Sequence, residues 1–438
     1  FDANRLGELC MQLASRAIAE AGPVKCVGIT NQRASTVAWD AMTGKAIAPA
    51  IGWQDLRTVG QCIEARLKHG IAVAPNQTAT KAQWLHQQLD SSLQTRVRFS
   101  TVESWVAHVL SDGSIHVTDH TNAAVTGLYD SHTNEWSDEW CRIFEVTPSS
   151  MPSIVPSIGV IGHATRLEGS PVISGLIGDQ QASLMGQGCI HPGDAKITFG
   201  TGGMLDQFRG DLPPTTTARA TNGTFPIVAY SSAAGLTWGA EAIMLSAGSN
   251  VEWLCDDLGL VEKPADTDHV AAQAGGSGGA MYVPALLGLG TPHWDYGARG
   301  TLLGLTRGTT RENIVHAVLE GIAQRGADLV EATEGDSGLR IERMRMDGGM
   351  SRNETFVQLF ANATNRPVDV CAVTEATTIG AAFAAGVGAG IWSSVAEAAS
   401  TSTPLRTVEP TQPLDRVAWA EATNRAKAWI PALSALDF

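Results

Sequence analysis

Three short segments of this sequence carry residue types that could do chemistry. In Gly178-Asp179-Gln180-Gln181, the apolar run PVISGLIG (171–178) delivers a carboxylate to the point where a helix begins. Ligands of α/β folds collect at the carboxyl ends of strands, and a carboxylate there can take the proton of a substrate hydroxyl. Taken alone, the tetrapeptide reads first as a plain N-cap, a position Asp favours for backbone reasons. Phe199-Gly200-Thr201-Gly202-Gly203 places three glycines around a Thr at a hairpin tip. Backbone N–H groups exposed in this way suit a phosphate, and Thr201 adds a hydroxyl; in isolation the default is an ordinary Gly-rich turn. Asp347-Gly348-Gly349-Met350 ends a strand in two glycines, and Ser351-Arg352-Asn353 opens a helix. Close backbone approach to a flat base or a phosphate needs such glycines. The plainer reading is a strand-to-helix turn capped by Ser351.

The remaining candidates are blander. His116 and His120 lie four apart, but SIHVTDH has no convincing helical pattern, so a metal pair is disfavoured. Arg33, in the loop NQRAS, reads by default as a surface ion-pair residue. Most of the twelve tryptophans are expected to pack, with one or two free to line a sugar pocket. Neither G-x-x-x-x-G-K-[ST] nor a strand–GxGxxG–helix fingerprint occurs, which disfavours a P-loop fold and a dinucleotide oxidoreductase.

The elements that must position these residues alternate between strand and helix in two halves. The chain opens in a helical pattern, with Leu6, Leu9, Leu13 and Ala17 at helical spacing. VKCVGIT (24–30) is a strand, and TVAWD and AIAPAIGW form a hairpin about MTGK. Helices are predicted around 58–68 and 81–89, and the block 105–129 is mixed. TPSSMPSIVPSIG is predicted to be surface connection. After a boundary near residue 190, AKITF and MLDQF are strands around the Gly-rich turn. Residues 237–259 are predicted as one long helix, followed by the Gly-rich linker AGGSGGA. Residues 312–335 form an amphipathic helix with Ile314, Val318, Ile322 and Leu329 near one face. IERMRM and PVDVCAV are strands, each followed by a helix. Two α/β domains follow, 1–190 and 191–438.

Composition narrows the class. The chain has 438 residues, 44% hydrophobic and 17% charged, as in ordinary globular proteins. Lys and Arg total 30 against 44 Asp and Glu, a formal charge of −14 without a basic run, so nucleic acid is not an expected partner. Seven widely spaced cysteines without C-x-x-C suit a reducing cytoplasm and argue against disulfides and structural zinc. The longest apolar, small-residue run, 379–392, is too short to cross a bilayer.

In order, GITNQR (28–33), HVTDHTNA, ISGLIGDQQASLMGQG, KITFGTGG, YVPALLGLGTPHWDYGARGTLLGLTRG and RMDGGMSRN resemble the FGGY carbohydrate kinases, most closely the glycerol kinase branch. The stretch from Gly300 to Glu320 fits the family's C-terminal signature. The second signature, centred on Lys81 and Trp84, fits less well at Asn76 and Ala82. The resemblance runs nearly end to end. It implies two ribonuclease-H-like domains of the actin/hexokinase/Hsp70 type, with a cleft between a substrate domain and a nucleotide domain. It implies ATP and Mg²⁺ as cofactors and a small polyol or sugar as substrate, with a dimer or tetramer of identical chains. Asp179 matches the family's base, reaching the metal through water. Arg33, Ala34, Trp53, Asn76, Asp179, Gln180 and Met204 match the substrate pocket. Gly200 and Thr201 match the phosphate turn, Gly308 and Glu312 positions near the nucleotide, and Gly349, Met350 and Asn353 the adenine and ribose shelf.

Two departures carry expectations. Ala34, Asn76 and Met204 stand where glycerol kinases have an acidic residue, a tyrosine and a phenylalanine. A glycerol hydroxyl thereby loses partners, and a longer polyol or a ketose gains room. The family's D-x-G-T hairpin would precede residue 1, so the sequence is expected to be a fragment that turns over poorly by itself. A non-catalytic sugar- or nucleotide-sensing module of the same fold is the reading from a different class. The stretch IGHATRLEGSPVISG has one arginine where the family's fructose 1,6-bisphosphate loop is rich in Gly, Lys and Arg, so no such inhibition is expected.

Overall fold

The alternation of apolar and polar residues resolves into several sheets, two of which carry the candidate site, in a computed structural model that describes residues 1–216, 219–373 and 375–436. Helix α1 (Ala3–Ala21) is capped by Asp2, whose carboxylate accepts from Arg5 N. Its inner face is Ala3, Gly7 and Ile18 with half-buried Leu6, Cys10 and Ala14; Leu9 and Leu13 point to solvent. The expected leucine face is thus rotated, because small residues let α1 lie close to α2 (Val102–Leu110), where Trp105 Nε1 donates to Ala3 O at 2.7 Å.

The first sheet joins β1 (Cys26–Asn31), β2 (Ile158–His163) and β3 (Val172–Gly178) in the order β1-β3-β2. Strands β1 and β3 are parallel, with Asn31 opposite Gly178, so both deliver their chains to the same edge. Helix α3 (Asp179–Gly186) starts there. The segment expected to be surface connection is partly strand: residues 153–155 pair with 117–119, and β2 begins at Ile158. Its Pro and Ser residues mark the ends of short strands rather than a loop.

The second sheet is built from β4 (Ala195–Phe199), β5 (Gly203–Gly210), β6 (Phe225–Ser232), β7 (Gly235–Met244), β8 (Met344–Asp347), β9 (Val368–Cys371) and β10 (Pro404–Val408). Their order is β6-β7-β5-β4-β8-β9-β10: antiparallel strands on one side of β4, and on the other the parallel β8 and β9 followed by an antiparallel edge strand, β10. The helix expected over 237–259 is in fact β7 plus a shorter helix, α4 (Gly248–Asp256). The helix-forming Ala, Glu, Leu and Met of this stretch are overridden by pairing on both sides, with β5 and β6.

This sheet's two faces differ in kind. One carries Ala195, Ile197, Phe199, Met344 and Met346 into a core with α5 (Arg311–Ser337) and α6 (Glu354–Thr364), where Phe199 meets Phe356 and Phe360 edge-on at 4.9 and 5.3 Å. The other carries a cross-strand row: Glu241, Asp206, Lys196, Arg345, Asp369 and Thr407, each opposite the next. Helix α7 (Ala376–Gly388) belongs in sequence to the second half, yet it packs on β1, β3 and α3. Gly28, Gly175 and Gly380 make this possible: a Cβ on any of them would collide with the backbone at Ala381, Ala385 or Ala182. Ser174 Oγ also donates to Ala385 O at 2.8 Å. A single cut near 190 therefore separates the sheets but not the helices that cover them.

Candidate active site

Asp179 and Arg33 leave the adjacent ends of β3 and β1 and meet, Arg33 Nε lying 3.3 Å from Asp179 Oδ1. The N-cap of α3 is Gly178, and Asp179 is the first helical residue, so the plain capping reading of Asp179 does not hold. Its Oδ1 accepts from Gln180 N at 2.8 Å, and the side chain keeps 32% of its surface exposed. Gly178 N donates to Thr121 Oγ1 at 2.8 Å, and Asp119 accepts from that same hydroxyl, which ties HVTDHTN to the start of α3. A Cβ at Gly178 would press on Arg33 Cδ, so only glycine lets the arginine pass.

Arg33 is not a surface residue. Its side chain is only 13% exposed, and Nη2 donates to Glu241 Oε2 of β7 at 2.6 Å. Burial alone would lower its pKa, but Glu241, Asp179 and Asp206 together outweigh that and hold the guanidinium charged. Burial raises the Glu241 carboxyl's pKa against the pull of Arg33. Among the described residues Arg33 Nη1 is buried without a hydrogen-bond partner, a donor left for something else.

Ala34 is buried with φ 59°, and Ser35 N bonds back to Arg33 O at 2.8 Å around it. Such a γ-turn is rare and strained for a residue with a Cβ. Lys81, fully buried, holds it: Nζ donates to Ala34 O at 3.3 Å and to Asn76 O at 2.6 Å. Burial pushes the Lys81 ammonium down to about 8. Two predicted pocket positions are thus tied together by one amine, and Trp53 joins them through its N–H to Ser35 Oγ at 3.1 Å. Met204 lies on β5, between Thr198 and Ile243 and on the same face as Asp206.

The glycine turns form a second cluster. Thr198 on β4 pairs with Asp347 on β8, so Gly200 and Gly349 follow the ends of adjacent parallel strands. Thr198 Oγ1 and Ser183 Oγ both donate to Asp347, at 2.5 and 3.0 Å. The start of α4 is laced to the first turn, Gly248 N donating to Gly200 O and Ala247 N to Thr201 O, each at 2.8 Å. Gly348 needs to be glycine, with φ 89° and Phe199 O against any Cβ. Gly200 and Gly349 do not: a Cβ on either would meet nothing within 4 Å. Glycine at both positions leaves an open face over two strand ends.

The rest of the predicted shelf is less direct. Met350 is buried in the core, and it is Asn353, not Ser351, that caps α6, accepting from Phe356 N at 2.8 Å and donating to Thr267 Oγ1 at 3.0 Å. Gly308 and Glu312 stand at the start of α5, which Asn313 Nδ2 joins to the Gly-rich segment through Gly276 O at 2.9 Å. Residues that the sequence reading missed are Glu241, Lys196 and Asp206. Their signal is a charge inside an otherwise apolar strand, in GAEAIM, AKITF and MLDQF.

A carboxylate and a guanidinium stand at strand ends of one lobe and an open glycine-lined turn at strand ends of the other, in a two-domain fold of the actin/hexokinase type. Comparison with known proteins makes this specific. Profiles of the FGGY family of carbohydrate kinases match residues 2–186 (N-terminal domain) and 195–389 (C-terminal domain). The chain is 36% identical to the glycerol kinase of Deinococcus radiodurans, over 98% of this chain and 89% of that one. It superposes with TM-score 0.87 on Plasmodium falciparum glycerol kinase with ADP, at 27% identity, covering 100% of this chain and 90% of the other. A xyloylose kinase from Brucella ovis gives TM-score 0.83 at 26% identity, covering 100% and 91%. The chain belongs to the FGGY family of carbohydrate kinases, enzymes that transfer phosphate to an alcohol group.

Proposed function

We propose that this protein transfers the γ-phosphate of ATP to a primary hydroxyl of glycerol or a related small polyol or sugar, with Asp179 as the base. The observation that carries the reading is the Arg33–Asp179 pair at two parallel strand ends, with Arg33 Nη1 buried and unpartnered. A hydroxyl accepting from Nη1 would lie beside the carboxylate that takes its proton. Phosphoryl transfer asks little covalent work of the protein, so positioning and charge placement dominate. Gly200 N closes the turn on Gly202 O at 2.9 Å, so Thr201 and Gly202 would offer their backbone N–H groups to phosphate, with the N-terminus of α4 behind them. Gly349 leaves room for the rest of the nucleotide.

Mg²⁺ fits the donor set. Among the described residues no cluster of three His, Cys, Asp or Glu side chains could cage a metal, and Mg²⁺ on nucleotides is held mainly by phosphate and water. Asp179 would reach it through water, and the ion would neutralise charge on the phosphates. Seven free cysteines suit a cytoplasmic location, and no helix among the described residues is long and apolar enough to cross a membrane.

A ketose or longer polyol is the second reading. Ala34 is buried and brings no polar atom beyond its backbone, and Asn76 is exposed in its turn with its carbonyl taken by Lys81. The test is a coupled ADP-release screen of the full-length protein over C3–C6 polyols and ketoses, with the product's phosphate position read by NMR. Transfer to a primary hydroxyl supports the proposal; ADP release indifferent to every acceptor contradicts it.

A further inference from the structure

We propose that Glu241, Asp206 and Lys196, one cross-strand row on the second lobe's sheet, position the acceptor site of the first lobe by holding Arg33 and Gln180 on either side of Asp179. The inference rests on Asp179 marking the acceptor site.

The register puts the three side chains on one face. Glu241 on β7 is opposite Asp206 on β5, which is opposite Lys196 on β4. All three are buried; Asp206 and Lys196 are fully so and form an ion pair at 2.8 Å. The row's ends leave the sheet. Glu241 Oε2 accepts from Arg33 Nη2 at 2.6 Å, and Lys196 Nζ donates to Gln180 Oε1 at 2.5 Å. Arg33 and Gln180 are the polar residues flanking Asp179, and both belong to the first lobe.

Chemistry assigns the direction of control. The Arg33 contact with Glu241 is shorter than its 3.3 Å contact with Asp179, so the second lobe sets where the guanidinium lies. Lys196 can only donate, which fixes the Gln180 amide oxygen toward the sheet and turns its Nε2 donors away, available to a substrate hydroxyl. Buried ion pairs such as Lys196–Asp206 contribute little to stability by themselves. Asp206 sits between the two ends and is among the charges that keep Arg33 ionised. Grip on the acceptor is therefore complete only when the second lobe is in place, so acceptor affinity and lobe closure are coupled.

The experiment compares wild type with Glu241→Gln, with Lys196→Met/Asp206→Leu, and with Glu241→Gln added to Arg33→Met. The first two are expected to raise the acceptor KM about tenfold or more, the scale of a lost charge-assisted hydrogen bond. ATP KM should stay within about twofold, and thermal melting confirms folding. On Arg33→Met, the Glu241 substitution should add less than about twofold, since its effect passes through Arg33. If the double variant fails to fold, the isosteric Glu241→Gln decides. A folded Glu241→Gln with unchanged acceptor KM, or one whose effect adds in full to that of Arg33→Met, overturns the row's role while wild-type turnover keeps the kinase reading intact. Full-length wild type without acceptor-dependent ADP release across the C3–C6 panel overturns the kinase reading, and the row's role with it.

Discussion

Arg33 reaches Asp179 through Nε and Glu241 through Nη2, and immediately after it Ala34 turns the chain with φ 59°. Glutamate at position 34 would keep that backbone without added strain, because alanine already carries the Cβ that makes the turn costly. Its carboxylate would enter the pocket beside Arg33. Ala34→Glu is therefore expected to raise kcat/KM for glycerol relative to a five-carbon polyol or ketose by about tenfold, one charged hydrogen bond; parallel steady-state measurements on both acceptors check this, and an unchanged ratio removes position 34 from specificity. Lys81 gives a pH signature. Its folded pKa near 8 lies below the ordinary 10.5, so between those values the unfolded chain binds the extra proton and stability rises with pH. The difference in melting temperature between wild type and Lys81→Met should move in favour of wild type as pH goes from 8 to 10. A flat difference would mean that the amine is not held in a dry site.

At the scale of elements, α7 is the piece of the second half of the chain that covers the sheet of the first. It lies on β1, β3 and α3, and at Gly380 a Cβ would land on the Ala182 carbonyl of α3. That carbonyl cannot withdraw without moving the helix that begins with Asp179. Gly380→Ala is expected to cost about 1–3 kcal/mol as overpacking and to lower kcat as well. Gly60→Ala, where a Cβ meets nothing within 4 Å in the helix 59–69, should be neutral or stabilising by up to about 1 kcal/mol. Equal losses at both positions, by differential scanning calorimetry, would deny the close α3–α7 contact. These elements also show what could be read from sequence. β1, β3, β4, β8 and α5 announce themselves by apolar runs or helical periodicity, and the motifs at their ends point to Asp179, Gly200 and Gly349. Strand β7 does not: Ala, Glu, Ile and Met in sequence read as helix, and only pairing on both edges makes it a strand. Glu241 was lost with it. Likewise, no local signal tells that a Gly- and Ala-rich helix from residues 376–388 covers the sheet of residues 26–178.

For the whole molecule, the two lobes meet through buried polar contacts as well as packing. Ser157 and Ser231 donate backbone N–H groups to each other's hydroxyls at 2.9 and 3.0 Å, and Ser157 Oγ donates to Asp119 at 2.6 Å. This fastens one part of the contact between the lobes, while Arg33–Glu241 and Gln180–Lys196 fasten another, beside Asp179. On the outer surface, Arg166 is exposed in the turn between β2 and β3 and has no neighbouring lysine in that turn. A bisphosphate wants several charge-assisted contacts, so millimolar fructose 1,6-bisphosphate should leave turnover unchanged; inhibition relieved by Arg166→Ala would contradict this. The central claim is that Asp179 takes a proton from an acceptor hydroxyl as phosphate moves to it. The most direct test is acceptor-dependent ADP release by wild type and Asp179→Asn, each with its best C3–C6 acceptor. Asparagine keeps an oxygen to accept from Gln180 N and removes only the charge opposite Arg33, so the fold and nucleotide binding should persist. Turnover should fall at least about 100-fold, the usual scale for a general base. Near-normal acceptor-dependent turnover by Asp179→Asn would contradict the account.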